Sequence, residues 1–427
     1  MTSARPLARQ PDPAAGSRPA ARRAAFRTVF AVRGFRALWA SQVLSALGDR
    51  LALVALALLV YDRTRSPLLG AVAYAAGTVP YLAGSLFLAG AADRFARREV
   101  MVLCDVSRAA LVAVMLVPRM PIGVLVAILY VVTTIQPVFD SARGAVLPDM
   151  VDGERYALAV VVIQTSFRIA AVAGAAAAGL LVALLGARPA LGADAATFAV
   201  SALLIRFGTS ARPAADRRPG QRQMTRLVDG ARLVFGDPAL RTLVLLGWLA
   251  AAYAVPAGVA GPYAASIGGG PAAAGLLIAA SPAGAVLAAP VFTRMAGPAA
   301  RLRWMGPMAI CGCAALTLVA IGPGLAASIA IIAVSGSFAT YQVAANTAFV
   351  ARLPDQYRAQ AFGLAAAGVV GGQGVAFLAA GAVAQVISPS AVIAASGALG
   401  ALAAFGLAIT WQRDQRHADA TPAAMGR

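Results

Sequence analysis

Residues 37–61 read ALWASQVLSALGDRLALVALALLVY, an apolar run with two charges near its middle, Asp49 and Arg50. As a helix rising about 1.5 Å per residue it extends about 38 Å, more than the roughly 30 Å of a bilayer's hydrocarbon core. A charge at a helix centre costs about 2.5–3.5 kcal/mol on insertion scales, and each Leu or Val returns about 0.3–0.6. The run therefore inserts as a membrane span, but neither Asp49 nor Arg50 can face lipid once the chain has folded.

Eleven further runs of similar length follow, near 68–91, 99–117, 121–141, 156–185, 189–207, 240–264, 272–293, 302–321, 325–348, 358–386 and 390–411. The 427 residues are 60% hydrophobic and 12% charged, with mean hydropathy +0.76. Soluble domains carry roughly 25% charged residues, so lipid is the solvent this composition suits. Gly and Ala are frequent inside the runs, as where helices pack backbone to backbone in a membrane. The expected fold class is an all-α polytopic membrane protein with twelve transmembrane helices.

The gaps between runs alternate in charge. The stretch 1–34, the gap holding Arg94, Arg97 and Arg98, the gap from Arg143 to Arg155 and the linker 208–239 are basic. So are the gap with Arg294, Arg301 and Arg303, the one from Arg352 to Arg358, and the tail with Arg413 and Arg416. The intervening gaps hold only Arg63 and Arg65 beside Asp62, then Arg119, Arg188, and no charge at 265–271, 322–324 or 387–389. Arginine-rich loops stay in the cytoplasm. Both termini are therefore expected inside the inner or plasma membrane, with an even number of spans.

The same distribution argues against nucleic acid as a partner, despite a net charge of +19 and a pI near 11.3. A nucleic-acid binder gathers its basic residues in one patch, and here they are dealt out along alternate loops. Cys104, Cys311 and Cys313 lie inside apolar runs without metal-ligand spacing, and His417 is the sole histidine. No metal, no cofactor and no catalytic residue is expected.

The expected organisation is a disordered cytoplasmic tail 1–34, a six-helix half 35–207, a cytoplasmic linker 208–239, a second six-helix half 240–411 and a tail 412–427. Within the linker, RLVDGARLVFGDPALR (226–241) has the spacing of an amphipathic, surface-lying helix. The halves read as copies: FRALW at 35 is matched by LRTLV at 240, an offset of 205, and LPD at 147 recurs at 353, an offset of 206. Two parallel six-helix repeats place a substrate site between them, near the membrane midplane.

The gap after the second run reads AGAADRFARRE, residues 89–99. It resembles the G-x-L-a-D-R-x-G-R-[RK] loop of the major facilitator superfamily: Asp93, Arg94, Arg97 and Arg98 match, while Ala89, Ala91 and Ala96 replace the small and leucine positions. The resemblance implies a breakable cytoplasmic lock, in which Asp93 pairs with arginines and faces the N-terminus of helix 11, where Arg358 sits. A simple positive-inside anchor explains the arginines but not Asp93. The second half keeps a remnant, APVFTRMAG (289–297), with Arg294 present and Thr293 in the acid's place. SALGDRLALVALALLVYDRTRSPLLG (45–70), CDVSRAALV (104–112), ARGAVLPDMV (142–151) and GADAATFAVSALL (192–204) look like the enterobactin-exporter and macrolide-efflux branch, over roughly residues 33–411. The antiporter signature of helix 5 is only partly kept, as GAAAAG at 174–179: Ala175 stands for its proline and Ala178 for a glycine.

Charges inside the spans are the candidates for mechanism. Asp49 lies about 12 residues into its span, near the midplane, and suits proton coupling, substrate binding, or a structural pair with an arginine. Arg168, mid-span in the fifth run, needs an acid, Asp49 or Asp105, or else a substrate anion. Asp105 and Arg108 are spaced for an intrahelical pair, and Asp140 with Arg143 repeats that spacing where support of the gate is expected. Asp105, Asp140 and Asp194 are expected toward helix ends, within reach of water or loop arginines, with Asp194 structural. In the second half the polar candidates for substrate are Gln342, Asn346 and Gln373, and VVGGQGV (369–375) reads as a bendable stretch of helix, not a nucleotide loop.

The leading expectation is a monomeric, proton-coupled exporter of small amphipathic molecules working by alternating access. An importer on the same fold is the alternative. A membrane-embedded enzyme needs convergent catalytic groups on neighbouring spans, which the scattered acids do not supply, and no phosphate-binding loop is present for an ATP-driven pump.

Overall fold

The computed structural model describes residues 27–88, 95–151, 154–210, 223–354 and 357–424. In the first half the spans are α1 (Arg33–Thr64), α2 (Pro67–Phe87), α3 (Arg97–Val114), α4 (Ile122–Met150), α5 (Glu154–Leu185) and α6 (Ala187–Gly208). In the second they are α7 (Pro238–Gly258), α8 (Pro271–Met295), α9 (Pro298–Ile321), α10 (Leu325–Arg352), α11 (Arg358–Val383) and α12 (Pro389–Ala424). Eleven of them are long and apolar enough to cross a membrane on composition alone. The twelfth, α3, carries Arg97, Arg98, Glu99, Asp105 and Arg108, and it crosses sheltered between α6 and α4. The fold is thus all helical, two six-helix halves in one chain.

Local chemistry sets the helix starts. Pro67, Pro238, Pro271 and Pro298 occupy first-turn positions, where a missing N–H costs nothing. Ser66 accepts from the Leu69 N–H at 3.3 Å, and Asp237 accepts from Ala239 and Leu240 at 2.8 and 3.1 Å. Several spans are interrupted in their interiors, and α9 ends as a 3-10 helix over Leu316–Ile321. α2 breaks at Ala76–Thr78 ahead of Pro80, α7 at Leu249, and α10 at Ala339–Thr340. In α2 the Pro80 ring excludes the carbonyl four residues back, so the break has an identifiable cause.

The linker helix (Gln223–Gly236) packs on α11, with Gly230 against the backbone of Gln360 and Ala361, and buries Val234 in the second half's core. The amphipathic helix expected to lie on a surface is therefore docked on protein along its apolar face. α12 runs on through the polar 412–424 as helix: no glycine intervenes, and Pro422 falls only in the last turn.

The apolar core is divided unevenly along the molecule. At the end away from the linker, one cluster joins both halves: Leu56, Leu58, Ala73 and Ala178 pack with Val259, Tyr263, Ala274 and Ala384. At the linker end there are two separate clusters. Phe35, Met101, Phe139 and Ile205 belong to the first half; Leu240, Met305, Tyr341 and Trp411 to the second. The seam at the joined end is tight. Gly179 of α5 and Gly275 of α8 face each other so closely that a Cβ on either would lie 2.7 Å from the other's Cα. Tyr74 meets Phe377 edge to face at 5.0 Å, and Gln385 donates to Ser66 Oγ at 3.0 Å. The halves diverge from this seam toward the linker end.

Candidate functional site

Between the halves lies a cavity of about 610 Å³, within the roughly 300–1,000 Å³ usual for drug-sized ligands. Its two walls differ in kind. The first half supplies every charged lining residue: Asp49, Arg50, Asp140, Arg168 and Asp194. The second half supplies Leu277, Ile278, Ile332 and Phe377, with Tyr253 and two amides, Gln342 and Gln373. The breaks in α2, α7 and α10 all fall at this cavity, placing Thr78, Ala250 and Ala339 on its wall. Interrupted helices are tolerated in a membrane where they line a cavity.

Behind the charged wall is a buried ion cluster. Arg108 of α3, 1% exposed, donates to Asp49 Oδ1 of α1. Its guanidinium also lies 4.0 Å from Asp105 Oδ1 and 4.0 Å over the Phe198 ring of α6. Asp105, fully buried, accepts from Ser201 of α6 at 2.5 Å. One cation thus sits between two carboxylates from two helices, and a third helix closes the arrangement. α1 approaches α6 closely because residue 48 is glycine: a Cβ there would collide with Asp194 and Thr197.

This corrects the sequence expectation on two points. The cation beside Asp49 is Arg108, not Arg168; Arg168 lines the cavity, and among the described residues it has no acid at ion-pair distance. Asp105 and Asp194, expected within reach of water or loop arginines, are 0% and 1% exposed. Position along a helix sets depth in the membrane, but helix packing sets access. Asp194 also lines the cavity, and its Oδ2 has no hydrogen-bond partner among the described residues. Gln342 and Gln373 line the cavity, whereas Asn346, about one turn further along α10, is exposed outside it.

Of the expected gate, Asp93 and Arg94 lie outside the described residues. Arg97 donates to Asp149 Oδ2 at 2.9 Å and to the Ala145 carbonyl at 2.6 Å, tying the start of α3 to the end of α4. Arg98 donates to the Thr209 carbonyl at 3.4 Å, just past α6. Arg143 pairs with Asp140 at 3.2 Å, and Tyr81 donates to the same carboxylate at 3.3 Å. These bonds stay inside the first half. Arg358, at the first position of α11, is in the other half. Among the described residues no three His, Cys, Asp or Glu side chains gather as a metal site.

Comparison with known proteins agrees with this geometry. A POT family transporter solved with a thioalcohol conjugated peptide superposes with TM-score 0.71 at 10% identity, over 89% of this chain and 96% of that one. A bacterial homologue of the iron transporter ferroportin, solved in an inward-facing state, gives 0.64 at 14% identity over 89% and 98%. These likenesses concern the fold. The multidrug efflux pump Tap of Mycolicibacterium fortuitum is 29% identical over 220 residues, so the match spans 49% of this chain and about half, 54%, of that pump. The sequence profile of the Major Facilitator Superfamily matches residues 38–261, just over half of the chain. With that profile match and the twelve-helix, two-half architecture, the chain belongs to the major facilitator superfamily.

Proposed function

We propose that this chain is a secondary active transporter that exports small amphipathic molecules from the cytoplasm by alternating access, using proton exchange. The observation that carries the reading is the cavity between two halves that share an apolar core at one end and separate at the other. The arginine-rich loops support a cytoplasmic position for the separated end, the linker and both termini. The conformation is then the one that loads cargo for export. Similarity to an efflux pump over part of the chain supports the direction. Cavity and gate are built within one chain, which supports a monomer as the working unit. The process moves a solute and makes no bond, so no enzyme activity is assigned.

Asp49 is the coupling residue in this reading. A proton arriving at its carboxylate displaces Arg108, which retains Asp105, so the α1–α3 bridge loosens while the α3–α6 contact persists. Arg168 is left to the cargo. Asp93, Arg94, Arg97 and Arg98, supported by Arg143, are the cytoplasmic lock, engaging the α11 start at Arg358 when the linker end closes. Gln342 and Gln373 contact cargo from the opposite wall, and Asn346 joins them only when α10 turns. An import role on the same fold is favoured by one feature, the alanine at 175 where antiporters of this fold keep a proline. A panel of labelled solutes tested in inverted vesicles with an imposed proton gradient decides between them. Gradient-dependent accumulation in inverted vesicles is expected; accumulation solely in right-side-out vesicles overturns export.

A further inference from the structure

We propose that the cargo carries an oxyanion, a carboxylate or sulfonate, gripped by Arg50 and Arg168, with its apolar body against the second half's wall. The inference rests on the transporter reading and narrows its substrate class. It comes from the charge inventory of the cavity. Five charged side chains line it, three acids and two arginines. The acids are engaged or covered: Asp49 receives Arg108, Asp140 receives Arg143 and Tyr81, and Asp194 is 1% exposed beside the Thr197 hydroxyl. The arginines are less so: Arg50 hydrogen-bonds Tyr74, which leaves its charge in place, and lies near Asp49, while Arg168 faces the cavity. Among the described residues neither Arg50 nor Arg168 has a carboxylate at ion-pair distance, and Arg168 is exposed into the cavity. The face presented to a ligand is therefore cationic, although acids outnumber arginines on the wall.

The two arginines are placed to act together. Gly174 of α5 lies against the Cβ of Arg50, and Arg168 is six residues earlier on α5, about 9 Å along the axis. Both side chains line the same cavity, so one anionic group held there can draw on both guanidiniums. Guanidinium binds carboxylate or sulfonate through two parallel N–H donors and stays charged under all working conditions. Two such cations inside a membrane protein are costly without a counter-charge, which an anionic cargo supplies. Opposite stand Leu277, Ile278, Ile332 and Phe377, a surface without charge that suits rings or chains and rejects a second charged end. The ligand class is an amphipathic anion with its charge at one end.

The test uses two dyes sharing one ring system, each charged at one end only, the anionic pyrenebutyrate and the cationic pyrenylbutyl-trimethylammonium. Binding to the full chain in nanodiscs is read by anisotropy, and movement by inverted vesicles. Pyrenebutyrate is expected to bind and be moved, with Arg50→Gln and Arg168→Gln each weakening binding roughly tenfold or more, and Lys at either position restoring part of it. Arg188→Gln, at the far end of the molecule, is expected to leave binding unchanged. Anion binding without movement keeps the oxyanion site and overturns export. Movement of the cationic pyrenyl dye with no anion binding overturns the oxyanion site and leaves the transporter. Anion binding indifferent to both Gln variants overturns it too, and wild-type competition between the dyes decides the matter if a variant fails to fold.

Discussion

At Asp49 the consequence of a single proton can be read from its neighbours. Its partner Arg108 is buried between Asp49, Asp105 and the Phe198 ring. Removing one member of such a set leaves an uncompensated charge, which typically costs about 3–5 kcal/mol. Arg108→Gln strands two carboxylates and is expected to destabilise the protein by about that amount, seen as early thermal unfolding in detergent. Asp49→Asn leaves Arg108 with Asp105 and is expected to fold. It should abolish proton-driven accumulation yet keep downhill counterflow of substrate. If that variant still pumps uphill, Asp49 does not couple; if it loses counterflow as well, the residue holds cargo or fold. The sequence singled out Asp49, Arg108 and Arg168 but not their pairing. Asp105 and Arg108 satisfy each other at i, i+3 on paper, and nothing in a linear chain says that α1 runs beside α3 at that level.

Elements show where the frame of a motif survives its loss of letters. In GAAAAG the proline and one glycine of the helix 5 signature are gone, yet Gly174 and Gly179 remain. Each meets another helix at backbone distance: Gly174 against Leu47 and Arg50 of α1, Gly179 against Pro271 and Gly275 of α8. A side chain at 179 must push α5 from α8 at the joined end. Gly179→Val is expected to cost the present state about 1–3 kcal/mol and to shift the balance toward the opposite opening roughly 5- to 150-fold. Spin labels on Leu184 and Ser388, one exposed position in each half at that end, should report a longer separation; an unchanged distance would remove α5–α8 contact from the closure. The twelve spans were legible because composition alone separates lipid-length runs from basic gaps. Pro80 marks the interruption in α2, but those in α7 and α10 were not legible, since Leu249, Ala339 and Thr340 at the breaks are residues that continuous membrane helices also carry.

For the whole molecule, the duplicated pattern at offsets of 205 and 206 corresponds to the two halves that enclose the cavity. Orientation in the membrane rests on arginine alone and is directly testable. With Cys104, Cys311 and Cys313 replaced, a cysteine at Gly269 should react with an impermeant thiol reagent from outside the cell, and one at Arg218 should not. The reverse pattern would invert the topology and with it the direction of loading. The inequality of the two cavity walls was visible in the sequence as a half without mid-span charges, although its meaning needed the walls to face each other.

That inequality has a consequence over evolutionary time. Asp49, Arg108, Asp105 and Ser201 are bound to one another across three helices, and a change in any of them disturbs the rest. The opposite wall consists of separate aliphatic and aromatic side chains, each replaceable by another of similar size at a cost usually below about 1.5 kcal/mol. Lineages descending from this chain can therefore diverge in the shape of what they carry while inheriting the same engine. Substitutions at Leu277, Ile278, Ile332 and Phe377 are where such divergence should accumulate.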